Sequence, residues 1–443
     1  MPFEVLLNRH HIKVLLLTAL ASMLAFFTFT AATALSETLF FVFFLDFHTR
    51  IAHTLYHFGS YIAMLFGGII MGYIGDQWGR KTSLIFALFG LSLFTLALAL
   101  MPDLPDYGRI LAILILCSKI GQGCFFGGIL PSIWTLISEH LPSKRIGFGS
   151  GVVMASGLLG ILLFYFMNNI LNNTLTYAQM FEIGWRLILG IGGAFGVILL
   201  FITRKYLKET VIFLRQKVSL GHTEQAVKND TSSTDRIFYS LHSAWYDWLL
   251  TLRNSLSVSM LIAVILSVLI VGLLNFMPFL LVPLLELNFT TTLLSSRFGS
   301  MLTIFFMALG SVVFGSMADY ICSTRLLTVS GISLLLLSAI FVLYVQDNSE
   351  FILLFLMLSG FLAGIIGAAP VVLMRLFTHS IRLSGIAISF NLTFALLGGI
   401  LPFLLGFLSY YAGSTPMLYL MFMGLLTVFV GFYTQHLSVM DEN

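Results

Sequence analysis

Charge is what this 443-residue chain has least of: Asp, Glu, Lys and Arg together make up 9% of it, against a hydrophobic share of 58%. Soluble domains are about a quarter charged, and a mean hydropathy of +1.00 lies outside their range. Cysteine is nearly missing as well, with three residues. Cys117 and Cys124 are seven positions apart on one apolar run, about 10 Å of helical rise and too far to bridge, while Cys322 stands alone. That spacing excludes a disulfide scaffold, a redox pair and a cysteine metal site. No His/Asp/Ser or metal-ligand cluster falls at a shared depth, so the chain does not read as an enzyme. No metal, cofactor or nucleic-acid partner is called for.

What the chain has instead is long apolar runs. A helix crosses the ~30 Å hydrocarbon layer in about 20 residues, and runs of that length recur from end to end, so the lipid bilayer is the expected surrounding. Charged or turn-rich breaks divide them into twelve predicted spans: 14–44, 56–75, 82–101, 109–138, 147–168, 184–203, 256–282, 296–318, 326–345, 351–375, 384–410 and 416–435. No signal-peptide cleavage pattern follows the first run, which reads as a retained span. The longest polar stretch, Arg204 to Arg253 with its "KNDTSSTD" run, parts two sets of six. The expected fold is all-α and membrane-embedded: a six-helix bundle over 1–203, a cytoplasmic linker over 204–253 and a second six-helix bundle over 254–443.

Short cytoplasmic loops concentrate Lys and Arg. With both termini on one side, every Lys and Arg except Arg50, Arg109, Lys119, Arg186 and Arg297 falls on that side. The predicted topology is multi-pass with both termini cytoplasmic, in a bacterial inner membrane, and the chain reads as a monomer.

The stretch "GYIGDQWGRKTS", Gly72 to Ser83, gathers charge between two apolar runs. Gly72 and Gly75 admit close helix approach. Asp76 can accept backbone N–H groups or an Arg, and Arg80 and Lys81 anchor the next span at the headgroups. The eighth span ends in "GSMADYICSTR", which places Gly315, Asp319 and Arg325 as echoes of Gly72, Asp76 and Lys81. A motif repeated at one junction of two halves marks the internal repeat of a rocking transporter. Ordinary charged loops are the plainer alternative, and the recurring spacing argues against them.

"GYIGDQWGRK" resembles the signature loop of the major facilitator superfamily, with Gln77 where an Arg is usual. Further stretches resemble one branch, the metabolite:proton symporters, which include osmolyte, citrate, ketoglutarate and shikimate carriers. These are "KIGQG" (Lys119 to Gly123), "SEHLPSKRIGFGSG" (Ser138 to Gly151), "GWR" (Gly184 to Arg186), "RKYLKETVIF" (Arg204 to Phe213) and "IRLSGIAISFNLTFALLGGILP" (Ile381 to Pro402). The resemblance implies the major facilitator fold and alternating access, with protons as the coupling ion. It also shows departures. In the fourth helix Lys119 stands for the branch's Arg, Gln122 and Gly123 are kept, and Ile129 follows Gly127 and Gly128 where a Glu is usual. The first helix has "LAFFTFT" (Leu24 to Thr30) in place of an expected Glu and Asp, and Met64 takes the place of an Arg in the second.

Lys119 is the sharpest candidate for binding substrate or coupling ion. It sits about ten residues into its helix, near mid-membrane, where a cation costs several kcal/mol and needs a partner or a wet cavity. A Lys is a point charge that can bind an anion or release a proton; holding the bundle through a carbonyl is its structural alternative. Gln122, Asn275 before Pro278 and Pro283, and Asn391 supply amides that either bind substrate or bond helix to helix. Glu37 and Arg297 fall near the opposite face, as coupling or entry residues or as plain helix-end charges. His48, His53 and His57 are read as carrying no role. Conformational gating is expected of Gly72, Asp76, Gly79, Arg80, Lys81, Glu139, Arg145, Gly315, Asp319 and Arg325, with Glu139 pairing either Arg145 or the loop after helix 2.

The sequence thus predicts a secondary active transporter that imports a small polar, anionic metabolite of the carboxylate type. Polycarboxylates, citrate-type siderophores included, fit a lone cation better than zwitterionic osmolytes do. An exporter and a transport-inactive receptor of the same fold are the alternatives.

Overall fold

The computed structural model describes residues 7–36, 38–39, 49–102, 108–215, 217, 258–288, 296–345 and 351–440. Among the described residues twelve helices are long and apolar enough to cross a membrane. They are α1 (Arg9–Ala34), α2 (Thr49–Gln77), α3 (Arg80–Ala99), α4 (Gly108–His140), α5 (Ile146–Thr174) and α6 (Tyr177–Tyr206), then α7 (Val258–Phe279), α8 (Ser296–Met317), α9 (Ser323–Ile340), α10 (Phe351–Arg375), α11 (Arg382–Tyr411) and α12 (Thr415–Met440). No strand occurs among the described residues. The predicted twelve spans are all present, with edges shifted by a few residues. The first differs most: α1 ends at Ala34 where the apolar run continues to 44. Most of the predicted linker, from 218 on, lies outside the described residues.

Local chemistry explains several ends. Asn8 caps α1, its Oδ1 accepting from the backbone N–H of His10 and of His11 at 2.9 Å each. Pro278 lies in the last turn of α7, the chain turns at Leu280, and a short helix, Leu281–Asn288, restarts with Pro283 in its first turn. Two long helices lose their regular pitch in mid-course: α10 tightens to a 3-10 turn over Gly364–Gly367, and α11 widens to a π turn over Phe394–Gly398.

The halves meet along two seams, α2 against α11 and α5 against α8, with α4 also touching α10 and α11. The seams exchange places when the two halves are interchanged, the relation an internal repeat requires. Gly315 shows why glycine is needed there: a Cβ added to it would lie 2.6 Å from Gly151 Cα, so α5 and α8 approach backbone to backbone.

Candidate functional site

Three helices that begin at the Lys- and Arg-rich face, α3, α5 and α11, have no capping side chain of their own at Gly79, Arg145 and Ile381. Each is capped by a carboxylate from elsewhere. Asp76, at the end of α2, accepts from the backbone N–H of Leu383 (3.3 Å) and Ser384 (3.0 Å) and from the Ser384 hydroxyl, so it caps α11 across the seam. Asp319, just past α8, accepts from Gly147 N–H at 2.7 Å and Phe148 N–H at 2.9 Å, capping α5 across the other seam. Glu209, just past α6, accepts from Arg80 N–H (3.0 Å) and Lys81 N–H (3.1 Å) and caps α3 within the first half. Gly79 makes this possible: its φ of 121° lies in the left-handed region that favours glycine, and a Cβ there would strike the Glu209 carboxylate. Orphan N–H groups at a helix start and the positive end of its dipole both favour a carboxylate there.

Arg80 ties two of these caps together. It is fully buried, donates from Nη1 to Gly75 O at 3.0 Å, from Nη2 to the carbonyl of His379 in the second half, and from Nε to Glu139 Oε1 at 3.3 Å. Its guanidinium also lies 3.7 Å from Asp76 and over the Phe213 ring. Glu139 therefore pairs with the loop after α2, while Arg145 reaches Tyr320 Oη at 3.5 Å. Arg382 donates from Nη1 to Ser138 Oγ at 3.3 Å, a further bond between halves. His379 Nδ1 lies 3.9 Å from Glu139; burial and the neighbouring Arg382 hold its pKa below the usual value against the pull of Glu139. Burial pushes the Asp319 carboxyl up, opposed by the two N–H groups and by Arg145 and Arg375. Together these bonds join the two halves at the Lys- and Arg-rich face.

Lys119 lies deeper, with no exposed surface. Its ammonium donates to Thr33 Oγ1 (2.9 Å), Gln122 Oε1 (3.2 Å) and the Phe29 carbonyl (3.4 Å), and sits 3.9 Å from the centre of the Phe29 ring. Three acceptors match the three hydrogens of an ammonium, and none of them carries a charge. Gln122 is spent likewise, its amide donating to Thr95 Oγ1 (3.0 Å) and Thr28 O (3.3 Å). Beside this polar knot runs a chain of rings: Phe29 to Phe126 (4.6 Å), Phe29 to Tyr61 (5.9 Å), Tyr61 to Phe394 (6.4 Å) and Phe394 to Phe390 (5.1 Å). It crosses from α1, α2 and α4 to α11, and Phe394 begins the π turn, so the helix is widened where the rings of both halves meet.

The remaining candidates scatter. Asn391 is buried and its amide donates to Gly127 O (2.8 Å) in the other half and to Ala387 O (2.8 Å) in its own helix, so its N–H groups are spent on backbone carbonyls. Asn275 donates to Val271 O within its own helix. Arg325, the expected echo of Lys81, is exposed, and α9 begins without a side-chain cap. Lys81 itself donates to Arg204 O at 2.9 Å. Gly72 meets Ser384 across the seam. Glu37 lies outside the described residues, as does the side chain of Arg297, whose backbone is in the first turn of α8. Sequence reasoning missed Glu209, Ser384, His379 and Arg382. Glu209 did carry a signal: an acid at the end of its own helix opposes that helix's dipole and is better used by another.

Comparison with known proteins agrees with this architecture. A model described as Major Facilitator Superfamily matches residues 2–165. A "Putative proline/betaine transporter" of Staphylococcus aureus (strain COL) is 26% identical over 349 residues, 76% of this chain and 68% of its own. The proline/betaine transporter of Escherichia coli (strain K12) is 27% identical over 147 residues, 33% of this chain and 29% of its own. The proton:xylose symporter XylE bound to 6-bromo-6-deoxy-D-glucose superposes with a TM-score of 0.74 at 17% identity, over 96% of this chain and 95% of its own. The inward-open form of the Escherichia coli xylose transporter XylE gives 0.61 at 16% identity over the same shares. With its twelve spans and paired seams, the chain has the fold of these solved transporters, resembles the major facilitator superfamily over residues 2–165, and is similar in sequence to proteins named as proline/betaine transporters.

Proposed function

We propose that the protein imports a small carboxylate-bearing metabolite across a bacterial inner membrane by alternating access, with the Lys- and Arg-rich face cytoplasmic. The two six-helix halves rock about a midplane site, and the carboxylate caps hold the cytoplasmic side closed. Lys119 is the group that recognises the carboxylate. The observation that carries this reading is a fully buried ammonium satisfied only by neutral acceptors: a carboxylate that displaces Thr33 and Gln122 supplies the missing counter-charge in a low-dielectric site.

The adjoining rings favour a zwitterion over the polycarboxylate expected from the sequence. Lys119 offers one positive charge, while the faces of Phe29, Tyr61 and Phe394 suit an ammonium. The names of the relatives, which are proline/betaine transporters, agree with a substrate carrying both groups. Protons are the coupling ion in this reading.

Uptake of labelled proline, betaine, citrate and xylose into proteoliposomes, with and without an imposed pH gradient, tests it. Zwitterion uptake that is driven by external acid and abolished by Lys119→Ala is the expected result. Transport that survives Lys119→Ala removes Lys119 from the site, and a protein that moves none of these solutes favours the receptor alternative.

A further inference from the structure

On the lipid-facing surface α3 and α6 leave a groove of about 410 Å³ lined by Ile85, Phe86, Phe89, Leu200, Phe201 and Arg204. Its two ends differ in chemistry. Ile85 and Phe89 lie five and nine residues into α3, about 8 and 14 Å from the charged face, the depth of acyl chains in one leaflet of a ~30 Å layer. Arg204, by contrast, is exposed in the last turn of α6. Around it are marks of the headgroup level: Trp78 is 54% exposed, Tyr206 is 51% exposed, and the Lys205 ammonium sits over the Tyr206 ring. The Arg204 guanidinium has no carboxylate partner among the described residues, while its carbonyl accepts from Lys81 Nζ at 2.9 Å. An apolar trough thus ends at an unpaired cation and a neighbouring ammonium.

We propose that this groove binds one anionic phospholipid, with an acyl chain along Phe86, Phe89 and Phe201 and the phosphate at Arg204. Charge complementarity selects the occupant: a zwitterionic lipid fills the trough equally well but brings its own cation to Arg204. The site adjoins the cap of α3, since Lys81 donates its backbone N–H to Glu209 and its ammonium to the Arg204 carbonyl. A bound phosphate would therefore brace the segment that holds Arg80.

Native mass spectrometry of the purified protein, with phosphatidylglycerol or phosphatidylcholine of identical acyl chains, tests the proposal without reference to transport. One tightly retained phosphatidylglycerol is expected, with affinity lowered about fivefold in Arg204→Gln, the equivalent of about 1 kcal/mol for one surface cation. Leu200→Trp, which fills the trough, should release both lipids. Arg204 projects outward, so Arg204→Gln reports even where the Trp variant fails to fold. Equal retention of the two lipids, an unaffected Arg204→Gln, or a Lys205→Gln variant that loses as much as Arg204→Gln overturns the assignment. Displacement of the lipid by inorganic phosphate alone also overturns it.

Discussion

Asp76 and Asp319 stand at equivalent corners of the two halves, each at the end of one helix and each capping another across a seam, yet their surroundings differ. Asp76 belongs to a buried network in which Arg80 reaches Glu139, the His379 carbonyl and Gly75, with Glu209 holding the Arg80 backbone. Asp319 has its two N–H groups, and Arg145 beside it turns to Tyr320. No buried Arg stands beside Asp319 among the described residues, and Arg325 faces outward. The repeat has kept the cap in both halves and the cation in one. The first seam is therefore the stronger clasp, and the second is the one expected to part with less work.

Removing the shared cation should break this comparison most severely. Arg80→Ala leaves Glu139 and Asp76 buried without their counter-charge, and loss of one partner from a buried pair costs about 3–5 kcal/mol. A large drop in melting temperature, only partly restored by Arg80→Lys, is the expected result, because a Lys cannot reach the same set of acceptors.

The caps come next. Asp76→Asn turns a double acceptor into a group whose amide opposes the Leu383 and Ser384 N–H groups, at about 1–2 kcal/mol of the closed form. Spin labels at the exposed positions Lys144 and Arg375, one on each half, should show a broader and longer distance distribution. Asp319→Asn should broaden the same distribution less, by about 0.5–1 kcal/mol. Equal effects would mean that the network around Asp76 adds nothing to its cap.

A smaller effect follows from pH. Burial raises the Asp319 carboxyl above its usual range in the closed form. Opening exposes it to water and returns it to that range. The closed form then binds the proton more tightly, so it gains on acidification through the window between the ordinary and the raised value, and loses that gain as pH rises through it. The label distances should narrow slightly in mild acid, and Asp319→Asn should remove the dependence. Least affected is Arg325→Ala: with its side chain exposed, stability within about 0.5 kcal/mol of wild type is expected.

Much of the fold was legible because the bilayer leaves the chain few options: each span must satisfy its own backbone, so apolar run length alone reveals the helices. The caps were legible in part. Asp76 and Asp319 were found through their repeated spacing, and Glu209 was missed because it has no counterpart to repeat. Spacing could not reveal that the Asn391 amide N–H groups are spent on Gly127 and Ala387, or that Glu139 chooses Arg80 over Arg145. The Asn391–Gly127 and Arg80–Glu139 bonds join residues 264 and 59 positions apart.

The sequence by itself determined the twelve spans, the motif repeated at two helix junctions and the place of a lone cation in the fourth helix. Hydrophobic run length, repeated motifs and the scarcity of charge are properties of the chain read locally. Only the tertiary structure decided which helix each carboxylate caps, that Lys119 rests among neutral acceptors and rings, and that one cap sits in a buried charged network while the other has, among the described residues, only the Arg145–Tyr320 bond beside it. A helix start does not encode which distant acid will satisfy it; that is settled by which helix ends the packing of the two halves brings within hydrogen-bonding distance.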